Sequence, residues 1–256
     1  MTSHAPWTLS PSEIESSLEA VRAASLRADV IIPAKNEATT IGAVLDAVIA
    51  AGELVGEVVV VNDHSEDDTA VVAQRHGARV ITLTAETGKG QALRAGVAAT
   101  SSPYVVFLDA DVLNLTSSYL PRLLAPFAVR DDVAMVKGYY VRPLHDMPSG
   151  GGRVNELAAR PILSLLYPGL GEVRQPLAGE TALRRDVLDA VGIADGYSVE
   201  IALLLDVAAR YGGAGIAQVD LGTRRHRNRP LEELRPMATE ILRLALTRYG
   251  VTLPSD

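Results

Sequence analysis

Short, wholly apolar runs alternate with longer amphipathic ones through the first 110 residues. "DVIIPA" (29–34), "EVVVVN" (57–62), "ARVITL" (78–83) and "YVVFLD" (104–109) are rich in Val and Ile at successive rather than alternate positions. Such runs predict strands buried on both faces of a parallel sheet. Between them "TTIGAVLDAVIAA", "DDTAVVAQRHG" and "GKGQALRAGVAAT" carry helical spacing. A further helix is predicted ahead of the first strand in "SPSEIESSLEAVRAASL". There Ser10 is the cap, Pro11 takes the first helical position, and Glu13 completes a capping box. Strand and helix in regular alternation predict an α/β fold, a mostly parallel sheet flanked by helices, with ligands at the carboxyl ends of the strands.

Past Asp111 the alternation loosens. A helix is expected over 117–129, then a long strand in "VAMVKGYYVRPL" (133–144). "MPSGGGRVNE" (147–156) reads as a glycine-rich loop opening a helix near Val154. "GYSVEIALLLDVAARYGG" predicts a helix and "GIAQVDLGTRRH" a strand running into a basic segment. "LEELRPMATEILRLALTRYG" predicts a closing helix. No repeat or low-complexity linker divides the chain, so a single domain over 1–256 is expected.

Composition narrows the function classes. With 24 basic and 31 acidic residues the net charge is −7, which disfavours nucleic acid and anionic lipid. There is no cysteine, hence no disulfide, thiolate metal site or Cys nucleophile, in keeping with a cytoplasmic protein. The opening "MTSHAPWTLSPSEIESS" lacks the basic and apolar regions of a signal peptide. The longest apolar stretches are cut by charge or glycine, so no membrane anchor is expected.

The run "VVFLDADVLN" ends a predicted buried strand in two carboxylates, Asp109 and Asp111, with Ala110 between. On an extended chain both would face one side and repel, unless a cation joined them. A hard divalent ion carrying a diphosphate, Mg²⁺ or Mn²⁺, is the natural partner. The plainer alternative is a turn or helix cap.

Three further segments, each after a predicted strand, sharpen this: "PAKNEATTIG" (33–42), "VNDHSEDDTA" (61–70) and "TGKGQALRAG" (87–96). Together with "DAD" they resemble the nucleotide-sugar glycosyltransferases of the GT-A fold. In the second half "GGGRVNELAARPIL", "QPLAGETALRR", "GYSVEIALLLD", "IAQVDLG" and "HRNRPL" resemble the glucosyl-3-phosphoglycerate synthases and their mannosyl relatives. These are retaining, metal-dependent enzymes that move a hexose from UDP-glucose or GDP-mannose to the 2-hydroxyl of 3-phosphoglycerate. The resemblance runs from about Val30 to Leu231.

It implies a nucleotide-sugar half over 28–116 and an acceptor half over 117–256. Pro33, Ala34, Asn36, Glu37, Asp63 and Lys89 would border the nucleotide, with Asp109 and Ala110 on the ribose side. Asp63 would meet the base. Asp111 would be the main carboxylate ligand of Mg²⁺ or Mn²⁺ and His226 a second ligand. Gly152, Arg153 and Asn155 would hold the acceptor's anionic groups, joined by Arg224 and Asn228. Of Arg224, Arg225, Arg227 and Arg229, at least two are expected to be solvated. Gly179 and Glu180 would line the sugar pocket. Glu200 would stand near the reacting carbon, either orienting sugar hydroxyls or sharing in catalysis, with Glu180 as its rival. The resemblance also implies a homodimer, with the apolar side of the closing helix (Ile241, Leu242, Leu244, Leu246) as the candidate surface; the alternative is that this side packs on the chain's own sheet. The chain departs from the family in "VNDHS" and at Asn155, where the family has Thr, so donor base and acceptor identity stay open. Other readings are a transferase with a different small acceptor in a secondary-metabolite pathway, a polyprenyl-phosphate sugar transferase, a sugar-1-phosphate nucleotidyltransferase and a non-catalytic sugar-nucleotide-binding module.

Overall fold

Ten strands and nine helices are found among the residues that the computed structural model describes, namely 5–144, 147–150, 152–196, 198–225 and 231–254. In chain order they are β1 (Trp7–Thr8), α1 (Pro11–Ala23), β2 (Ala28–Ala34), α2 (Ile41–Ile49), β3 (Val55–Asn62), α3 (Thr69–Arg75), β4 (Arg79–Thr82), α4 (Lys89–Ala98), β5 (Tyr104–Phe107) and α5 (Tyr119–Val129). There follow β6 (Met135–Val141), β7 (Pro143–Leu144), β8 (Met147–Gly150), α6 (Arg160–Leu166), β9 (Thr181–Arg184), α7 (Arg185–Val191), α8 (Val199–Tyr211), β10 (Ile216–Thr223) and α9 (Leu231–Tyr249).

The capping box at α1 forms as the sequence implies: the Ser10 side chain accepts from Glu13 N, and Ser10 N donates to Glu13 Oε2 at 2.8 Å. The apolar runs are buried on both faces. In β2, Val30 and Ile32 pack under α1, α2 and α5, while Ile31 faces a second core shared with α4, α8 and α9. This is why alternation is missing from these strands.

Eight strands form one sheet in the order β1-β10-β6-β9-β5-β2-β3-β4. All neighbours run parallel except β9, which lies antiparallel between β5 and β6. The two halves of the chain thus share one sheet. From β2 the chain winds outward to β3 and β4, then crosses back so that β5 pairs with the other side of β2. A crevice opens at the carboxyl ends of strands at such a reversal.

The structure differs from the sequence reading at several points. Residues 147–150 of the glycine-rich segment form a strand, β8, paired with β7. The following helix opens at 153–154, where it was expected, but passes through a π-helical turn, Asn155–Ala159, into α6. Strand β5 ends at Phe107, so Asp109 lies beyond the strand and Asp111 stands in the turn that follows. The apolar side of α9 is used within the chain. Ile241 is buried, and Leu242 and Leu244 pack on the core beneath α8.

Candidate active site

The loops that follow β2 and β3 are joined before any ligand is considered. Asn36 has a left-handed backbone (φ +57°), which Asn tolerates better than most residues. Its N–H donates to Ser65 Oγ at 3.0 Å, and its Oδ1 accepts from Glu66 N at 2.8 Å. Ala38 N donates to Asp67 Oδ2 and Glu37 N to Thr69 Oγ1. Asn36 is therefore a loop staple and is not part of the cleft wall. Asp63 is nearly buried, and its carboxylate accepts from Thr87 N at 2.9 Å and Gly88 N at 2.9 Å. It pins the turn into α4, where Gly88 at φ +86° supplies a conformation that a side chain would strain.

A cleft of about 330 Å³ lies over these ends. Its lining includes Pro33, Ala34, Glu37 and Asp63, the group Lys89, Asp109, Ala110, Asp111 and Glu200, and Gly152, Arg153 and Asn155. These residues come from distant parts of the chain, as the resemblance implied. His226 and Asn228 lie outside the described residues.

A chain of alternating charges runs along the cleft. Lys89 Nζ sits 2.6 Å from Asp109 Oδ1 and 2.5 Å from Glu200 Oε1. Arg224 Nη2 reaches Asp109 Oδ2 at 2.9 Å and Asp111 Oδ1 at 2.8 Å. Arg224 Nη1 meets Glu180 Oε1 at 2.7 Å and the Tyr140 hydroxyl at 2.8 Å. Arg224 is thus almost wholly buried in the cleft wall, while the neighbouring Arg225 is exposed. Glu180 is fully buried and Gly179 packs against the Asp109 carboxylate, so both support the wall from behind.

These contacts shift the ionisations. Burial alone would raise the Asp109 carboxyl, but Lys89 and Arg224 outweigh it and hold it far below the usual carboxylate range. Burial would lower the Lys89 amine, but Asp109 and Glu200 carry it well above its ordinary value. Burial also pushes the Glu180 carboxyl up, against the pull of Arg224.

The geometry suits a hard cation. Asp109 and Asp111 converge on one positive group, the Arg224 guanidinium, so the turn brings two carboxylates to a single charge. The Asp111 side chain is still a third exposed and lines the cleft. Among the described residues no three His, Cys, Asp or Glu gather as a complete ligand set. Mg²⁺ and Mn²⁺ need no such set, because one or two carboxylates, water and substrate phosphates suffice. The residues present therefore fit the ion.

Cleft residues that escaped the sequence reading include Gln175 and Leu177, and also the pair Tyr140 on β6 and Arg142 just beyond it. The spacing of two in that pair, which puts both on one face of an extended chain, was the available signal. The buried Nε atoms of Arg142 and Arg224, and Asn155 Oδ1, have no hydrogen-bond partner among the described residues. The Asn155 amide nitrogen is taken by Arg174 O at 3.1 Å and Glu156 Oε1 at 2.9 Å.

The pattern of Glycosyl transferase family 2 matches residues 29–146. Glucosyl-3-phosphoglycerate synthase of Mycolicibacterium smegmatis is 41% identical over 254 residues, 94% of this chain and 84% of that protein. The chain belongs to the glucosyl-3-phosphoglycerate synthase family. It is a glycosyltransferase. Two solved structures of the family's enzyme from Mycobacterium tuberculosis are also similar. One, in complex with Mn²⁺, UDP-glucose and phosphoglyceric acid, has a TM-score of 0.86 and 39% identity, covering 99% of this chain and 89% of that one. The other, with Mg²⁺ and UDP, has a TM-score of 0.85 and 39% identity, covering 98% and 88%. The architecture is accordingly the GT-A arrangement of the family, with β9 as its one antiparallel member in the large sheet.

Proposed function

We propose that this enzyme transfers glucose from UDP-glucose to the 2-hydroxyl of 3-phosphoglycerate with retention at the anomeric carbon. The observation that carries the reading is the polarity of the cleft. It presents carboxylates suited to a metal-bound diphosphate, and Arg142, Arg153 and Arg224 line the same cleft with positive charge suited to an anionic acceptor. The M. tuberculosis enzyme with Mn²⁺, UDP-glucose and phosphoglyceric acid supports the same assignment.

In this reading Asp111 and His226 hold the divalent ion, and Asp109 and Ala110 flank the donor. When bound, such an ion neutralises charge gathering on the departing diphosphate. Pro33, Ala34, Glu37 and Asp63 surround the nucleotide in the 28–116 half. Arg142, Gly152, Arg153, Arg224 and Asn228 draw the acceptor into the 117–256 half, while Asn155, its amide hydrogens already taken, can only accept from an acceptor hydroxyl. Glu200, oriented by Lys89, faces the sugar hydroxyls. The bond from C1 to the diphosphate breaks with its electrons leaving on the phosphate oxygen, and the acceptor hydroxyl oxygen joins C1 from the same face while its proton passes to that departing oxygen. Arg142 and Arg224 lower the cost of bringing an acceptor anion beside that diphosphate.

Calorimetry with UDP, GDP, UDP-glucose and GDP-mannose, each with Mn²⁺ and with EDTA, tests the donor, followed by turnover with 3-phosphoglycerate. Binding of UDP-glucose with Mn²⁺ and its loss in Asp111→Ala are expected. Preference for a guanine nucleotide would overturn the donor assignment, and turnover surviving in Asp111→Ala would overturn the metal assignment.

The same reading makes the enzyme cytoplasmic and a homodimer. The exposed apolar residues Leu157, Pro161 and Leu165, four apart along the helical run, support a mating surface. Sedimentation of Leu157→Glu/Leu165→Glu tests it: a monomer is expected, and an unchanged assembly refutes this surface.

A further inference from the structure

Lys137 is the one lysine of the sheet interior, with 1% of its surface exposed, and the transfer reaction gives it no task. It sits in β6 between Thr181 of β9 and Gln218 of β10 in register. Its neighbours Met135 and Val136 are wholly buried, so Leu or Met at 137 would suit the core. Taking an ammonium group out of water costs several kcal/mol. That cost is visible in the amine, which burial pushes down to about 8 against the opposing pull of Glu200 and Glu180.

The ammonium reaches one segment. Nζ donates to Ala178 O at 2.5 Å and to Thr181 Oγ1 at 3.0 Å. The next residue across the sheet does the same a few residues earlier. Gln218, 2% exposed, accepts from Arg174 N at 2.8 Å and donates to Glu172 O at 3.1 Å. Residues 172–180 thus form an irregular strap, tied to the sheet by two adjacent buried polar side chains. The strap carries Gln175 and Leu177 into the cleft wall. Beyond Ala178 it lays Gly179 on the Asp109 carboxylate and places Glu180 under Arg224.

We infer that Lys137 is a positioning residue that, with Gln218, fixes this strap and through it sets Asp109 and Arg224 for transfer. The ammonium suits this place, although Lys89 opposes it. It donates to both acceptors at once, and it lies in the field of Asp109, Glu180 and Glu200. The inference rests on the cleft being the transfer site.

The test compares wild type, Lys137→Met and Gln218→Leu in three measurements: Tm, calorimetric binding of UDP with Mn²⁺, and kcat and KM for UDP-glucose and 3-phosphoglycerate. For Lys137→Met the expected result is a Tm close to wild type, since the desolvation cost that disappears with the charge offsets the two hydrogen bonds lost. UDP binding and both KM values should stay within about threefold, while kcat falls about tenfold or more, as for a misplaced catalytic group. Gln218→Leu should show the same split and keeps the inference testable if Lys137→Met does not fold. Wild-type kcat in either folded variant overturns the inference. So does a kcat loss that tracks a fall in Tm and vanishes on assay at lower temperature, which would mark a purely structural role. Failure of the wild type itself to bind UDP or turn over would instead sink the functional reading.

Discussion

Replacing Gly179 by Ala adds a single methyl group at the tightest point of the wall. A Cβ there would stand 2.1 Å from Asp109 Oδ1 and 2.7 Å from Oδ2. Gly179 is not among the glycines with positive φ, so alanine brings no backbone strain and acts only as a wedge. To reach ordinary contact, near 3.4 Å, the carboxylate must retreat by roughly 1.3 Å. It is held by Lys89 at 2.6 Å and Arg224 at 2.9 Å, and such a shift breaks or badly stretches both bonds. Hydrogen bonds to charged groups contribute about 1.5–3 kcal/mol each. Asp109 is one-fifth exposed, so water recovers part of that loss, leaving a net cost of about 2–4 kcal/mol. With an unfolding entropy of about 0.5 kcal/mol per kelvin for a chain this long, Tm should fall by about 4–7 °C. A displacement of about 1 Å beside the reacting groups should also cost turnover about 100-fold. Scanning calorimetry and steady-state assays below the variant's Tm measure the two effects separately. A Tm within about 1 °C of wild type together with kcat within about twofold would refute the packing of Gly179 on a fixed Asp109.

Asp29 lies at the start of β2, away from the cleft, and accepts from Glu57 N, Ser101 N, Ser102 N and Ser102 Oγ at 2.7–3.0 Å. Asp29→Asn turns one oxygen into a donor facing donors and should cost about 3 kcal/mol while leaving the turnover of folded enzyme unchanged. Burial would raise this carboxyl, but its hydrogen bonds hold it below the ordinary value. Its stabilisation is therefore present above the unfolded value near pH 4 and lost as pH falls through the lower folded value, so the Tm gap between wild type and Asp29→Asn should close towards pH 3. A gap that persists there would contradict the assignment. Lys89→Met leaves Asp109 and Glu200 without their shared cation. Donor affinity and kcat/KM should drop by about 30–100-fold, equivalent to about 2–3 kcal/mol, the low end for a broken buried pair because all three groups keep some exposure. Parallel titrations and kinetics read this, and an unchanged kcat/KM would mean the bridge does not matter.

The order of strands and helices, the burial of the strands on both faces and the capping of α1 could all be read from the chain because each rests on local pattern: period, apolar run length and cap residues. The carboxylate pair was legible for a related reason, since Asp109 and Asp111 follow an apolar run that must end at the sheet's carboxyl edge. Their geometry was not, because the strand stops at Phe107 and the chain beyond it, not the pleat, aims them. The four residues of β9 lie inside the "QPLAGETALRR" motif with no strand signal of their own, since a stretch this short carries no period and is extended because β5 and β6 pair with it. That pairing brings Glu180 and Gly179 beneath residues some seventy positions earlier, and it puts Lys137 beside Thr181. Arg224 looked like one of four arginines in a basic run. Only the fold decided that it is buried, reaching carboxylates 113 and 115 residues away, while Arg225 remains at the surface. Sequence by itself determined which elements form and which chemistry gathers at their ends. Which charge meets which depended on long-range strand pairing, whose register is set by the packing of the whole sheet and not by any segment of it.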